Sequence, residues 1–434
     1  MKKWTQTILG IFFTLILLDV NAQKANDDPW KTNFSGSIYS LGRYFYQGRG
    51  ASSSSTWQAE ARGILSLQSS YQEKIQGQLT VLGNTNAHVQ SRNRLWVNEA
   101  FVSCRKGKMF LTVGKQTIKW GTLTGYSALD LANRYDYYDI LDTDNERLGL
   151  WGIDTRLSLG KTELQLHAFQ PDNRSKLHLQ NNRWIDLPSS LPIPNSPGSE
   201  LDVFYTGNEY VFNTHLPTIG ISVSSQIGAM EVKGKWLSAN NDIPVSSIKM
   251  QGTVENPNDY IVKLDYRPIH IGAVNFSSWL GSWNVWSELA HVNSERFDNS
   301  GNLSKDPYSF ISLGTDRFWQ MEHPERQLRI MAQYIKVVSW IDEKYKPTEL
   351  DHIFQSSFLL DAMVQLTYTW RIELRSVADM VTNGFYFAPT IQFRPSDKIS
   401  LKSGADFLTG SSRSFFGNFG HNSRLHFHLT YYPF

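Results

Sequence analysis

RLHFHLTY, residues 424–431, is the stretch that decides the fold. Leu425, Phe427, Leu429 and Tyr431 alternate with Arg424, His426, His428 and Thr430. Side chains of a strand point alternately to its two faces, so one face here is apolar and the other polar. The same period of two recurs along nearly the whole chain. Ile75, Gly77, Leu79 and Val81 alternate with Gln76, Gln78 and Thr80; Leu164, Leu166 and Ala168 with Glu163, Gln165 and His167; Met230, Val232 and Trp236 with Glu231, Lys233 and Lys235. Tyr260 to Tyr266, Leu328 to Gln333, Ile372 to Arg375 and Lys398 to Phe407 repeat it.

Strand pattern alone does not separate two architectures. In a soluble sandwich the charged face meets water and the apolar face fills a core. In a membrane barrel the apolar face meets lipid and the charged face lines the lumen. Three features favour the barrel. Connections alternate short and long: turns at Gln72-Glu73, Arg105–Lys108, Gly160-Lys161, Gly228-Ala229, His323–Glu325 and Ser396-Asp397, and polar loops at 47–56, 83–93, 120–146, 171–209, 239–258, 293–308, 341–361 and 409–421. Aromatics cluster near strand ends, as interfacial girdles do: Tyr44, Phe45 and Tyr46; Trp279, Trp283 and Trp286; Phe318 and Trp319; Tyr368 and Trp370. The chain ends on a strand and a terminal Phe434, although Leu425 to Tyr431 are out of phase with it unless Pro433 kinks the chain. These features predict an all-β, antiparallel up-and-down transmembrane barrel of about 18 strands, with 14 to 18 tolerable.

Bulk properties agree. Lys2 and Lys3, an apolar run from Ile8 to Leu18 and Val20-Asn21-Ala22 read as a secretory signal over 1–22, with a leader over 23–32 and the barrel over 33–434. Aromatics make up 13% of the 434 residues, including 14 Trp and 19 Tyr. The formal charge of +2 implies neither nucleic acid nor an acidic polymer as partner. A lone cysteine, Cys104, allows no internal disulfide and reads as an inert strand-end residue. Pro389 and Gly114 lie inside strand patterns and predict bulges, and 267–282 reads as an irregular turn.

One segment departs from the strand rhythm: KQTIKWGTLTGYSALDLANRYDYYDILDTDNER, residues 115–147. It leaves a strand at Trp120-Gly121. Ser127-Ala128-Leu129-Asp130 reads as a capping box opening a short helix, with Leu131, Tyr135 and Tyr138 on one face and Asp130 and Arg134 able to pair. An acidic run follows. With 114–121 read as GKQTIKWG, then Asp130-Leu131-Ala132-Asn133 and Asp136-Tyr137-Tyr138-Asp139, the segment resembles one shared by a domain-of-unknown-function family of Gram-negative outer-membrane barrels. There a G-[RK]-Q-x-x-x-W-G strand end leads into a D-x-x-N-P-R-D-Y-like loop, and the C-terminal layout from Val364 through Phe385–Arg394 to Leu408 is similar as well. This chain lacks the Pro after Asn133. The resemblance implies a porin-like barrel in the outer membrane, built by the barrel-assembly machinery, whose first long loop folds toward the pore.

Function follows from that placement. The loop over 120–147 is expected to narrow the lumen, with Asp130, Arg134, Asp136, Asp139 and Asp142 at the constriction and Lys119, Lys233, Lys235, Lys263, Arg329, Glu373, Arg375 and Lys402 on the lumen wall. Carboxylates facing a basic wall would select solutes by charge. The expected partners are outer-membrane lipid and small solutes; the oligomeric state stays open. Two other classes compete: a non-conducting assembly or adhesion barrel, and an outer-membrane hydrolase. No G-x-S-x-G elbow is present, and the chain is read as a non-enzyme without cofactor. Asp142 to Glu146 offers alternating oxygens but lacks the glycine and distal Glu of a calcium loop, and His426 and His428 share one strand face without an apparent further ligand, so no metal site is assigned.

Overall fold

A computed structural model describes residues 30–46, 56–72, 74–89, 92–118, 120–121, 125–132, 134–142, 147–170, 175–176, 183–184, 190–192, 200–205, 217–241, 245–252, 257–297, 303–340 and 354–434. The expected signal and most of the leader lie outside these residues.

The strands in chain order are β1 (Trp30–Phe45), β2 (Trp57–Tyr71), β3 (Ile75–Asn86), β4 (Arg94–Lys106), β5 (Met109–Gln116), β6 (Leu150–Leu159), β7 (Thr162–Phe169), β8 (Ser190–Pro192), β9 (Glu200–Tyr205), β10 (Thr218–Ile227), β11 (Met230–Asn240) and β12 (Val245–Gly252). They continue as β13 (Pro257–Asp265), β14 (Pro268–Leu280), β15 (Trp283–Asn293), β16 (Glu295–Phe297), β17 (Leu303–Lys305), β18 (Tyr308–Gln320), β19 (Gln327–Ser339), β20 (Ser356–Gln365), β21 (Trp370–Asp379), β22 (Gly384–Ser396), β23 (Ile399–Gly410) and β24 (Arg424–Tyr431). Eighteen of them form one antiparallel sheet. It closes on itself where β1 pairs with β24, from Ile38 opposite Tyr431 to Phe45 opposite Arg424. The other six stand in long loops, in a four-stranded sheet (β12, β13, β9, β8) and the hairpin β16–β17.

Alternation now has a direction. On β24, Leu425, Phe427, Leu429 and Tyr431 face outward at 42–49% exposure, and Arg424, buried at 5%, faces the interior. Ile219, Ile221 and Val223 on β10 and Ile311 and Leu313 on β18 are likewise exposed outside, opposite in parity to buried Ser222 and Ser312. A closed sheet has no unpaired edge, and an apolar exterior is stable against hydrocarbon, not water. The protein is a transmembrane β-barrel of the outer-membrane type. Tight turns join strands at one end, for example at Gly160, whose φ of +68° suits a residue without a Cβ; the long connections gather at the other.

Several expectations change. The first strand begins at Trp30, three residues before the expected 33. Tyr260–Tyr266 supplies no wall strand: β13 pairs with β12 and β9 in the loop sheet, and the wall strand is β14, within the stretch read as a turn. Ile269, Ile271, Ala273 and Asn275 there face inward, against Val274 and Phe276 outside, so both faces are largely apolar and the alternation is masked. Phe45 and Trp286 are not girdle residues but are buried, at 1% and 5%. Trp283 and Trp319 do pair edge-to-face, 5.4 Å apart. No bulge is seen at Gly114, where the registers to β4 and β6 run on until β5 ends at Gln116. Register is also kept across Pro389, and the shift falls between Phe393 and Ser396, around Pro395.

Candidate functional site

The inner wall at the long-loop end is divided. One sector, on β11, β14, β15, β18 and β19, is apolar: Leu237, Ile269, Ile271, Val292, Phe310 and Ile335 are almost fully buried. The opposite sector, on β1, β2, β4 and β24, carries Arg43, Glu60, Arg62, Arg94 and Arg424. The chain between β5 and β6 bonds to both.

Its first half meets the apolar sector. Lys235 Nζ donates to the Trp120 carbonyl. The Tyr126 backbone is held like a strand partner by one side chain: its N–H donates to Gln333 Oε1 at 2.9 Å, and Gln333 Nε2 donates to its carbonyl at 2.7 Å. A Cβ on Gly125 would stand 1.9 Å from that same Oε1, so a larger residue there would push the Gln333 amide out of this pairing. Ser127 Oγ donates to Glu288 at 2.7 Å and the Ala128 N–H at 2.8 Å, while Asn275 Nδ2 donates to the same carboxylate at 2.6 Å. Leu129, 0% exposed, joins the apolar cluster, a burial that contributes about 1.5–3 kcal/mol.

The predicted helix is a single 3-10 turn, Ala128–Ala132. Ser127 Oγ accepts from the Leu129 N–H as a cap does, but the turn ends at Ala132, so Tyr135 and Tyr138 lie beyond it. Tyr135 instead makes a bridge with Arg147, and Asp136 one with Lys176 of the next long loop. Arg134, 2% exposed, donates to the carbonyls of Asn240 and Asn241 at the end of β11.

The second half meets the arginine sector. Asp136 accepts from Arg92 at 3.2 Å and from Arg94. Asp139 accepts from Arg43 at 2.9 Å and from Arg424 at 2.7 Å. Both carboxylates are 3% exposed. Burial raises the Asp139 pKa, but Arg424 and Arg43 outweigh it and hold the carboxyl well below the usual aspartate range. Asp136 and Asp139 are therefore anchors of the strap and not open charges. Glu60, which accepts from Arg43, Arg62 and Arg92, completes the network.

An opening of about 250 Å³ remains beside the strap, bounded by Asp139 and Asp142 and by the interior faces of β1 and β20–β24. Its ionic lining is Asp139, Asp142, Asp361, Glu373 and Asp406 against Arg43, Arg375, Lys402 and Arg424, five carboxylates less four cations, or −1 with histidines neutral. The more exposed pairs are Arg375–Asp361 at 3.6 Å and Lys402–Glu373 at 3.5 Å.

Of the expected wall residues, Glu373, Arg375 and Lys402 line this opening. Lys233 and Lys235 line a smaller space on the far side, with Trp120 and His167. Arg329 lies over the Phe318 ring, 5.3 Å from its centre, toward the short-turn end. Lys263 belongs to β13 and hence to the loop sheet, not the wall. Lys119 and residues 143–146 of the weighed calcium loop lie outside the described residues. Asp130 is half-buried within electrostatic range of Lys235 and Glu288. Sequence reasoning missed Arg43, Glu60, Arg92, Arg94, Glu288, Gln333 and Arg424. The one available signal was the acidic run itself: a buried carboxylate needs a cation, and inward strand positions are where one must come from.

No family model matches the chain, and no curated protein matches it. Solved structures similar to it include OmpF of Salmonella typhi in complex with daunomycin, 9% identical over 94% of this chain and 99% of that one, with a TM-score of 0.45. The outer-membrane channel DcaP of Acinetobacter baumannii is 10% identical over 93% and 97%, with a TM-score of 0.45. OccD3 of Pseudomonas aeruginosa is 8% identical over 92% and 91%, with a TM-score of 0.49. At these values the likeness is one of barrel fold alone.

Proposed function

We propose that the protein is a passive, non-enzymatic channel of the outer membrane for small polar solutes, with its lumen narrowed by the 120–147 strap. The observation that carries this reading is the opening of about 250 Å³ left between the strap and β20–β24, lined by ionic side chains. Exposed charges such as Arg375, whose side chain is 53% exposed on an interior face, are what a water-filled passage accommodates. Opposed carboxylates and cations across a narrow gap create a transverse field that orders water and sorts solutes by charge. Apolar packing at one wall and ion pairs at the other fix the strap, so the gap keeps its size.

The experiment is conductance of the refolded barrel in planar bilayers. Stable single-channel steps with weak ion preference are expected. A correctly folded barrel that never conducts would overturn the channel and favour the assembly or adhesion role.

A further inference from the structure

One charge on the exterior of the wall stands beside two tryptophans at the short-turn end. Arg317 on β18 lies opposite Trp283 on β15 and Ile330 on β19. It shares the outward parity of exposed Ile311 and Leu313, while Ser312 and Asp316, of the other parity, are buried. Trp283 is the first residue of β15, just after the turn at Gly281, so Arg317 sits on the last rungs of the barrel. Its guanidinium carbon is 5.3 Å from the centre of the Trp283 ring and 4.8 Å from that of Trp319, and the two indoles meet edge to face.

The rings attract the charge of the guanidinium but lend no lone pair to its N–H donors. The Arg317 side chain forms no ion pair or hydrogen bond among the described residues. Only its Nε is sealed, and the terminal nitrogens stay open at the surface. The outward positions around it, Leu280, Val285, Thr315, Leu328 and Ile330, are neutral, so this face supplies no counter-charge. In outer-membrane barrels the short turns face the periplasm, and tryptophan belts lie at the level of the lipid head groups. The acceptor available to an arginine at that depth is phosphate, and a phosphodiester offers two oxygens to the guanidinium fork. Two rings hold the fork in place before the lipid arrives, which lowers the ordering cost of binding.

We infer that Arg317, held by Trp283 and Trp319, binds the phosphate of one phospholipid in the periplasmic leaflet. The site lies on the outer face of the wall and does not depend on conduction.

The refolded barrel in nonionic detergent is mixed with phosphatidylglycerol, or with diacylglycerol of the same chains as the control without phosphate. Bound lipid is counted by native mass spectrometry. One phosphatidylglycerol is retained per barrel, and diacylglycerol is not. Arg317→Gln lowers retention about tenfold or more, and Trp319→Leu about two- to fivefold. Arg317→Lys, which keeps the charge without the fork, falls between wild type and Arg317→Gln, and carries the test if the glutamine variant does not fold. Heat-modifiable migration in gels reports folding of each variant. Unchanged retention in folded Arg317→Gln or Arg317→Lys, equal retention of diacylglycerol, or displacement of the lipid by millimolar inorganic phosphate overturns the lipid site.

Discussion

Asp139 in the strap and Arg424 at the start of the last strand lie 2.7 Å apart, though 285 positions separate them in the chain. Arg424 also donates to Asp406 at 2.6 Å, and Arg43 closes on the other side of Asp139 at 2.9 Å. One carboxylate thus ties the far end of the strap to both strands at the closing seam of the barrel.

Asp139→Asn removes the charge that Arg43 and Arg424 share. Breaking a buried pair by changing one partner costs about 3–5 kcal/mol, because the other charge stays buried. Single-channel conductance should rise as the strap loosens, and thermal unfolding in detergent should shift down. An unchanged conductance would mean that the strap is held without Asp139.

The pH response has a definite sign. The folded pKa of Asp139 is depressed below the ordinary 3.8, chiefly by Arg424 and Arg43 against the cost of burial. Its contribution is therefore complete above about pH 4 and is lost as pH falls through the lower, folded value. Conductance should be level from neutral pH down to about 4 and change only in stronger acid. In Asp139→Asn that acid step should be absent.

Glu288 holds the other end of the strap. Glu288→Leu leaves the Ser127 hydroxyl, the Ala128 N–H and the Asn275 amide without their acceptor, at about 1–3 kcal/mol for each donor that water cannot reach. Hydrogen exchange at Tyr126 to Leu129 should speed markedly while the wall strands stay protected. Glu288→Gln, which keeps an acceptor, should lie between wild type and Glu288→Leu.

Arg375 and Lys402 are exposed charges of the opening, so each should tune selectivity without unfolding anything. Arg375→Ala or Lys402→Ala takes the ionic lining from −1 to −2. A unit charge near a passing ion is worth about 1 kcal/mol in water, a factor of about five in partition. Reversal potentials in a salt gradient should move toward cation preference by up to that factor. Movement toward anions would place these side chains outside the conduction path.

Gly114 tests the wall. Its φ is +134°, and a Cβ there would lie 2.3 Å from the Ala100 carbonyl oxygen and 2.6 Å from Phe101 Cα. Gly114→Val should fail to give folded barrel on refolding, seen as lost heat-modifiable migration in gels. Folding at wild-type yield would mean that β4 and β5 can separate at this point.

The barrel was legible because lipid outside and water inside impose a period of two that few soluble folds sustain so long. Legibility failed where both faces turn apolar, as on β14, where Ile271 faces the strap sector and Val274 the lipid. It failed again at β13, whose alternation is real but serves a loop sheet. The Ser127 cap was read from its residues, and the Leu129 N–H does donate to its hydroxyl. The partners of Asp136 and Asp139 were not legible, and those of Asp139, Arg43 and Arg424, are brought together only by closure of the sheet. No local spacing encodes that.

That dependence gives the molecule an order of events. Arg43 belongs to β1 and Arg424 to β24, which meet only when the first and last strands zip together. Before that moment the docking place of Asp139 is incomplete, whereas Glu288 and Gln333 on β15 and β19, and Arg92 and Arg94 for Asp136, do not depend on the seam. A seated Asp139, held by Arg43 and Arg424 together, is therefore the mark of a barrel whose first and last strands have met.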